Sequence, residues 1–168
     1  MATSRIYLRH PAAADQREFL ARVQASRKLH GAWVAAPDTP AKYRMFLRRC
    51  ADPASCTWFV CRKDTNEIAG LVNVSNIVRG LFQSAYLGYY AFAGFEGQGL
   101  MKEGLRAVVR DAFTRMKLHR LEANIQPGNA ASIALARGCG FALEGYSPRY
   151  LKIAGRWRDH ERWAILAS

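Results

Sequence analysis

The stretch Phe95-Glu-Gly-Gln-Gly-Leu-Met-Lys-Glu-Gly-Leu105 places two glycines one residue apart where a strand pattern gives way to a helix pattern. Glycine lets the backbone come close to an anion, and the free amides in the first turn of a helix point at that anion with a favourable dipole. The stretch therefore predicts either a tight turn from a strand to a helix or a loop that binds phosphate. The spacing alone favours neither.

Two known phosphate loops do not fit this stretch. A Walker loop carries Lys followed by Ser or Thr after its last glycine, whereas Leu105 follows Gly104 here. The dinucleotide fingerprint also fails, because Gly97, Gly99 and Gly104 have the wrong spacing and the surrounding strands are expected to be antiparallel. This loop therefore gives no support for a kinase or an ATPase.

Apolar periodicity on either side of the loop predicts the remaining elements. The clearest helix covers residues 100–116, and Asn129 is placed to cap a later helix. The order of elements is typical of a mixed α/β fold with one sheet and helices on both faces, in a single domain over residues 1–168. The predicted strands are residues 4–9, 57–62, 68–77, 84–92, 121–125, 141–153 and 156–166, and the predicted helices are residues 12–29, 38–50, 100–116 and 130–137.

The composition narrows the class of protein. The formal net charge of +12 favours an anionic partner such as nucleic acid, a ribonucleoprotein or a phosphate-bearing cofactor, although a generally basic surface explains the charge equally well. No apolar run approaches the roughly 20 residues needed to span a bilayer, and the N-terminus lacks a signal-peptide pattern. We therefore expect a soluble cytoplasmic protein with no membrane partner. The cysteines predict neither zinc nor disulfides; they are Cys50, Cys56, Cys61 and Cys139.

Five motifs in order carry a resemblance to a known family. They are Gly97-Gln-Gly-Leu-Met-Lys-Glu-Gly-Leu105, His119-Arg-Leu-Glu-Ala-Asn124, Pro127-Gly-Asn-Ala-Ala-Ser132, Gly140-Phe-Ala-Leu-Glu-Gly145 and Trp157-Arg-Asp-His160. Together they resemble the GNAT acetyltransferases, and within them the RimJ/RimL branch that acetylates N-termini of ribosomal proteins, closer to RimJ. The resemblance covers nearly the whole chain. It implies the GNAT acyl-CoA N-acyltransferase fold, with a mixed, mostly antiparallel sheet of about seven strands flanked by about four helices.

The resemblance also implies a site for acetyl-CoA as co-substrate, with no metal. In this family the fourth strand separates from the strand after the central helix, and the pantetheine arm lies in the gap along the strand edge. Asn129 matches a ligand of that arm, and Gly94 stands where the family has Arg or Gln, so we expect looser phosphate binding. The residues that match the strand edge and the pyrophosphate loop are Tyr90, Ala91, Phe92, Phe95, Gly97, Gln98, Gly99, Leu100 and Met101.

Acetyl transfer needs a neutral amine, a polarised thioester carbonyl and a proton donor for the departing thiolate. Many GNAT enzymes use a tyrosine as that donor, and Ala136 occupies its position here. The resemblance therefore implies Ser132 as the partner of the thiolate, with helix capping by Asn129 and Ser132 as the alternative. Glu144 is a weak candidate for the base.

Several other side chains have two possible roles. Three aromatic residues, Trp33, Tyr150 and Trp157, are candidates for lining the acceptor groove, with core packing as an equal alternative. Arg106 and Arg110 either attract the outer phosphate of the cofactor or form a solvated helix face. Structural roles are expected for Glu103, Asp159 and His160.

The expected activity is acetyl-CoA-dependent N-acetyl transfer to a primary amine. The favoured acceptor is the N-terminal α-amine of a ribosomal protein, because a basic enzyme would be attracted to ribosomal RNA. The first alternative is a small-molecule amine, such as an antibiotic or aminoacyl compound. The second is a basic nucleic-acid-binding module without catalysis, although the sequence carries no helix-turn-helix, RNP or zinc-finger signature.

Overall fold

A computed structural model describes residues 4–168. The seven predicted strands and their order are confirmed, and the helices number five within the described residues. The elements are β1 Ile6–Arg9, α1 Gln16–Ala25, α2 Arg27–His30, α3 Pro40–Cys50, β2 Cys56–Arg62, β3 Ile68–Val78, β4 Ser84–Ala91, α4 Leu100–Thr114, β5 Arg120–Ile125, α5 Ala130–Gly138, β6 Ala142–Ile153 and β7 Arg156–Leu166, with a 3-10 turn at Ala13–Asp15.

The first predicted helix, residues 12–29, is divided into the turn, α1 and α2. The break between α1 and α2 lies at Ser26, which is fully buried. Its hydroxyl donates to the carbonyl of Arg22 at 2.6 Å and accepts from the amide of Ala93 at 2.9 Å. A serine hydroxyl that bonds the backbone competes with helical hydrogen bonding, which explains the break. The same bond ties the helical layer to the start of the glycine loop.

One sheet contains all seven strands in the order β1-β2-β3-β4-β5-β7-β6. Neighbouring strands are antiparallel except β4 and β5, which are parallel. That parallel pairing begins at Ser84 and Arg120 and ends at Tyr86 and Glu122, although both strands continue further. A gap therefore opens between β4 and β5, as the sequence resemblance implies.

Helices cover both faces of the sheet. Phe59 and Val60 are consecutive residues of β2, so their side chains point to opposite faces. Phe59 stacks against Phe19 of α1 at 5.6 Å between ring centroids, whereas Val60 packs against Gly104 of α4. A Cβ atom added at Gly104 would lie 2.5 Å from a methyl group of Val60, so glycine is required for α4 to approach the sheet.

Two side chains cap helices, and the cap at Asn129 was predicted from the sequence. Thr39 caps α3 by accepting from the amide of Lys42 at 3.2 Å, and Asn129 caps α5 by accepting from the amide of Ser132 at 3.3 Å. The last hairpin turns at Ala154 and Gly155, whose φ angles are +47° and +78°. Two consecutive residues with positive φ form the tight turn that suits the twist of a hairpin.

Candidate active site

The gap between β4 and β5 opens into a cavity of about 310 Å³, which we call the gap cavity. A smaller cavity of about 170 Å³ continues from it along β4 and α5 to the glycine loop. Both are lined by side chains from β4, α5 and the segment after α2. The residues that line both cavities are Trp33, Val34, Tyr89, Tyr90, Asn129 and Ser132. The structure thus brings the predicted residues Asn129 and Ser132 to the gap.

Tyr89 forms a reciprocal pair of hydrogen bonds with Ser132. The Ser132 hydroxyl donates to the Tyr89 hydroxyl at 3.1 Å, and the Tyr89 hydroxyl donates to the Ser132 carbonyl at 2.9 Å. Burial raises the pKa of Tyr89 to about 12, so this phenol stays protonated at neutral pH. The sequence analysis did not select Tyr89 as a site residue. Side chains alternate along a strand, so Tyr89 and Tyr90 face opposite sides of the sheet and one of them faces α5.

Tyr90, Ala91 and Phe92 form the end of the predicted strand edge. The Tyr90 ring packs edge-on against His30 at 5.1 Å, and Phe92 is fully buried. The Phe92 amide bonds the carbonyl of Ala69, so the peptide groups of Ala91 face away from β3. The Ala91 carbonyl already pairs with Nε2 of His30 at 2.8 Å. His30 was not identified from the sequence, where it was a lone histidine without a pattern.

The glycine loop presents its backbone while its apolar side chains anchor it. Gly97 and Gly99 have φ angles of +72° and +78°, in the left-handed region that favours glycine. The Phe95 ring is buried, as are the side chains of Leu100 and Met101 at the start of α4. The first amides of a helix lack intrahelical acceptors, so α4 begins with unpaired N–H groups next to the exposed Gly97 and Gly99.

The side chains of the loop also bond Gly94, the position where the family has Arg or Gln. The Gly94 amide donates to the Glu96 carboxylate at 2.6 Å, and the Gln98 side-chain amide donates to the Gly94 carbonyl at 2.6 Å. Arg5 donates to the Gln98 carbonyl at 2.9 Å and to Glu103 at 2.7 Å. Glu103 therefore has the structural role expected of it, and Glu96 places a carboxylate in the loop.

The three predicted aromatic side chains lie in different surroundings. Trp33 is 41% exposed, lines both cavities and lies over Gly128. Tyr150 packs against the buried His160, which lines the gap cavity. Trp157 is 60% exposed and pairs with Lys152 in the last hairpin, outside the linings of the two cavities. The structure therefore brings Trp33 to the gap and leaves Trp157 apart from it.

The remaining polar candidates have partners elsewhere. Arg106 donates to the Gly138 carbonyl at 2.9 Å, which ties α4 to the end of α5. Glu144 forms an ion pair with Arg120. Asp159 accepts from the Tyr146 hydroxyl at 2.5 Å and from the Arg149 amide at 2.7 Å, which orders the last hairpin. Within residues 4–168, no three His, Cys, Asp or Glu side chains converge as a metal site would require. None of the helices in that range is both long and apolar enough to cross a membrane.

A family model described as "Acetyltransferase (GNAT) domain" matches residues 5–142. The chain belongs to the GNAT acetyltransferase family. The family and fold expected from the five motifs are therefore confirmed, and the GNAT family is one of acyltransferases. The Mycobacterium smegmatis RimJ in complex with CoA-disulfide superposes on this GNAT chain with a TM-score of 0.88 at 26% identity, covering 96% of this chain and 82% of that one.

Curated relatives match over part of their length. The [Ribosomal protein uS5]-alanine N-acetyltransferase of Escherichia coli is 45% identical over 102 residues, which are 61% of this chain and 53% of the relative. An L-methionine sulfoximine/L-methionine sulfone acetyltransferase of Pseudomonas aeruginosa is 41% identical over 63 residues, 38% of this chain and 36% of the relative. This GNAT chain thus spans about half the length, or less, of these two relatives.

Proposed function

We propose that this protein transfers the acetyl group of acetyl-CoA to the N-terminal α-amine of a protein, and that the acceptor is a ribosomal protein. The whole chain, residues 1–168, acts as one catalytic domain in the cytoplasm. The observation that carries the proposal is the hydroxyl pair of Tyr89 and Ser132, which stands in the wall of the gap beside Asn129.

The cofactor lies in the gap in this proposal. Its pantetheine arm lies along the chain at Tyr90, Ala91 and Phe92, at the end of β4, with Asn129 as a further ligand of the arm. Its pyrophosphate rests on the amides of the loop from Phe95 to Met101. Support comes from the exposed glycines with positive φ and from a helix that begins at Leu100 with its dipole toward the anion.

The reaction requires one bond exchange and one net proton transfer. The amine nitrogen attacks the carbonyl carbon of the thioester, the carbon–sulfur bond breaks, and the proton lost by the amine is taken up by the departing thiolate. Ser132 turns its hydroxyl from Tyr89 to the sulfur and donates a hydrogen bond to the developing thiolate. Tyr89, which stays protonated, orients Ser132. An α-amine with a pKa near 8 is partly neutral at physiological pH, so a strong base is not needed.

Two observations favour a ribosomal acceptor. The E. coli relative acts, by its name, on ribosomal protein uS5, and it matches over 102 residues, whereas the P. aeruginosa relative matches over 63. The net charge of +12 would attract the enzyme to the RNA-rich surface of a ribosome. The P. aeruginosa relative, named for a small-molecule acceptor, supports a small amine as the second candidate. Family membership gives no support to a nucleic-acid-binding module without catalysis.

Two measurements test the proposal in sequence. Calorimetry with acetyl-CoA at low micromolar protein should show binding, and a protein that releases no heat would lose the acetyltransferase assignment. Peptides with free N-termini are then compared with amine-bearing drugs and amino acid analogues, with acetylation followed by mass spectrometry. Preferential acetylation of peptides supports a protein acceptor, whereas acetylation of small amines alone supports a small-molecule acceptor.

A further inference from the structure

A third cavity lies on the face of the sheet opposite α5, and we call it the α3 cavity. It measures about 400 Å³ and is bounded by β3, β4, α3 and the segment after α2. Its lining includes Arg49, Asp52, Asn73, Ser75, Gly88 and Tyr90. Four residues line both this cavity and the gap cavity: Ala35, Gly88, Tyr89 and Tyr90. The two cavities therefore adjoin each other along β4.

Gly88 lies at the junction of the two cavities. It is a central residue of β4 and pairs with Asn73 of β3. A Cβ atom added at Gly88 would find no atom of residues 4–168 within 4 Å, and its φ lies outside the left-handed region. Neither backbone conformation nor packing therefore explains a glycine at this position, which costs a strand about 0.5–1 kcal/mol. Glycine inside a strand also occurs at β-bulges, but the pairing of β3 with β4 is regular around Gly88, which favours close approach of another molecule to the backbone.

Asn73 forms the polar floor of the α3 cavity. Its Oδ1 accepts from the Thr57 hydroxyl at 2.7 Å and from the Ser55 hydroxyl at 3.3 Å. With Oδ1 turned to the two hydroxyls on the β2 side, the Nδ2 group is left as a donor for the cavity. The floor thus offers hydrogen-bond donors to an acceptor atom such as a carbonyl oxygen.

We infer that the α3 cavity is the subsite for the first residue of an acceptor peptide, with Asn73 as a specificity-determining contact. Nδ2 of Asn73 donates to a carbonyl of the peptide, and the α-amine passes over Gly88 into the gap cavity to reach the thioester. Asn129 and Ser132 approach the gap from the α5 side, so the opposite face is the one open to the acceptor. The inference rests on the proposed function, because it requires a peptide acceptor and a thioester in the gap.

Two substitutions separate this subsite from the cofactor site. Gly88→Val adds a β-branched side chain that suits a strand and fills the junction. Asn73→Asp keeps the oxygen that Thr57 and Ser55 bond and replaces the donor with a carboxylate oxygen. Each variant should lower kcat/KM for an acceptor peptide by roughly 10-fold or more, since a site built to pair a polar group discriminates strongly when the pairing is lost. Acetyl-CoA affinity should remain within about two-fold of wild type, because Asn73 lines neither cavity assigned to the cofactor and a side chain at residue 88 points away from the face of Tyr89 and Ser132.

The assay uses hexapeptides that differ only in their first residue, Gly, Ala, Ser, Leu or Phe, together with calorimetry for acetyl-CoA. Ser84→Val, at the other end of β4 and outside all three cavities, is the matched control and should behave as wild type. Transfer by both variants at the wild-type rate overturns the subsite, and so does a loss of acetyl-CoA affinity equal to the loss of kcat/KM. If wild type binds acetyl-CoA but acetylates none of the peptides, the proposed protein acceptor fails, and the subsite fails with it.

Discussion

Removing the hydroxyls of Tyr89 and Ser132 tests whether the two side chains act as one unit. The variants are Tyr89→Phe, Ser132→Ala and the double variant. In the proposed reaction Ser132 donates to the departing thiolate and Tyr89 fixes its direction, so each single change removes the same directed donor. Positioned proton donors contribute about 10²–10⁴-fold to a rate, and we expect each single variant to lose about 10²-fold in kcat.

The double variant gives the sharper result. When two groups act together, removing both costs little more than removing one, so kcat of the double variant should fall by about 10²-fold and not by about 10⁴-fold. Acetyl-CoA affinity should change little, because the hydroxyls serve the leaving sulfur and not the bound ground state. Rapid-quench measurement of acetylated peptide under single-turnover conditions, with calorimetry for affinity, supplies both numbers.

Stability must be followed in parallel. Tyr89→Phe removes two hydrogen bonds, at 2.9 and 3.1 Å, and a typical bond contributes about 1 kcal/mol. The free energy of unfolding should therefore fall by up to about 2 kcal/mol, which lowers Tm by about 4–8 °C in a domain of this size. Two results would refute the reasoning. One is a wild-type kcat in a folded single variant, and the other is a loss of kcat in the double variant equal to the product of the two single losses.

Three further predictions concern the loop, an ion pair and the packing of α4. Glu96→Gln removes a negative charge beside the proposed phosphate site and keeps a side chain that can bond the loop. Acetyl-CoA should bind about five-fold tighter at low salt, because one charge pair contributes about 1 kcal/mol in water. This gain in affinity should shrink at high salt. Unchanged affinity in calorimetry would place the phosphates elsewhere. Burial raises the pKa of Asp15, but hydrogen bonds from Arg9 and from the Ala12 amide, together with the charge of Arg9, outweigh burial and lower the pKa. The pair therefore stabilises the fold above the unfolded pKa near 3.9 and loses that contribution as pH falls through the folded pKa. Asp15→Asn should therefore cost about 1.5–3 kcal/mol near pH 7 and progressively less below about pH 4, by urea unfolding across pH; a cost that does not vary with pH would contradict this. Gly104→Ala forces a Cβ atom to within 2.5 Å of Val60, so about 1–3 kcal/mol of strain should exceed the gain of about 1 kcal/mol in helix propensity. A higher Tm for Gly104→Ala would refute that packing argument.

Local patterns were sufficient for most of the fold. Strict apolar spacing predicted α4 within two residues of its end, and the adjacent strand patterns of residues 141–153 and 156–166 predicted the two strands of the last hairpin. The division of the first helix could not be predicted in this way. Ser26 breaks it because its hydroxyl bonds the amide of Ala93, which lies 67 residues away in sequence. Propensity and periodicity contain no information about such a distant partner.

The same distinction between local chemistry and distant partners applies to the residues of the candidate site. Gly97, Gly99 and Asn129 were identified because their roles rest on local chemistry, either backbone freedom or helix capping. Tyr89 and His30 were missed because their roles depend on partners 43 and 61 residues away, at Ser132 and at Ala91. The sequence does not show which side of the sheet an aromatic side chain of a strand faces.

In the proposed arrangement, the alternation of side chains along β4 separates the two substrates onto opposite faces of the sheet. Tyr89 bonds Ser132 of α5, whereas its neighbours Gly88 and Tyr90 face the other side of the sheet, because side chains alternate along a strand. A shift of β4 by one residue would exchange these faces and place a glycine where the hydroxyl is needed. Phe92 holds the register, because its side chain is fully buried and its amide bonds Ala69 on β3. In the proposed arrangement, the core contact at the end of β4 therefore keeps Tyr89 on the side of the cofactor and Gly88 on the side of the amine.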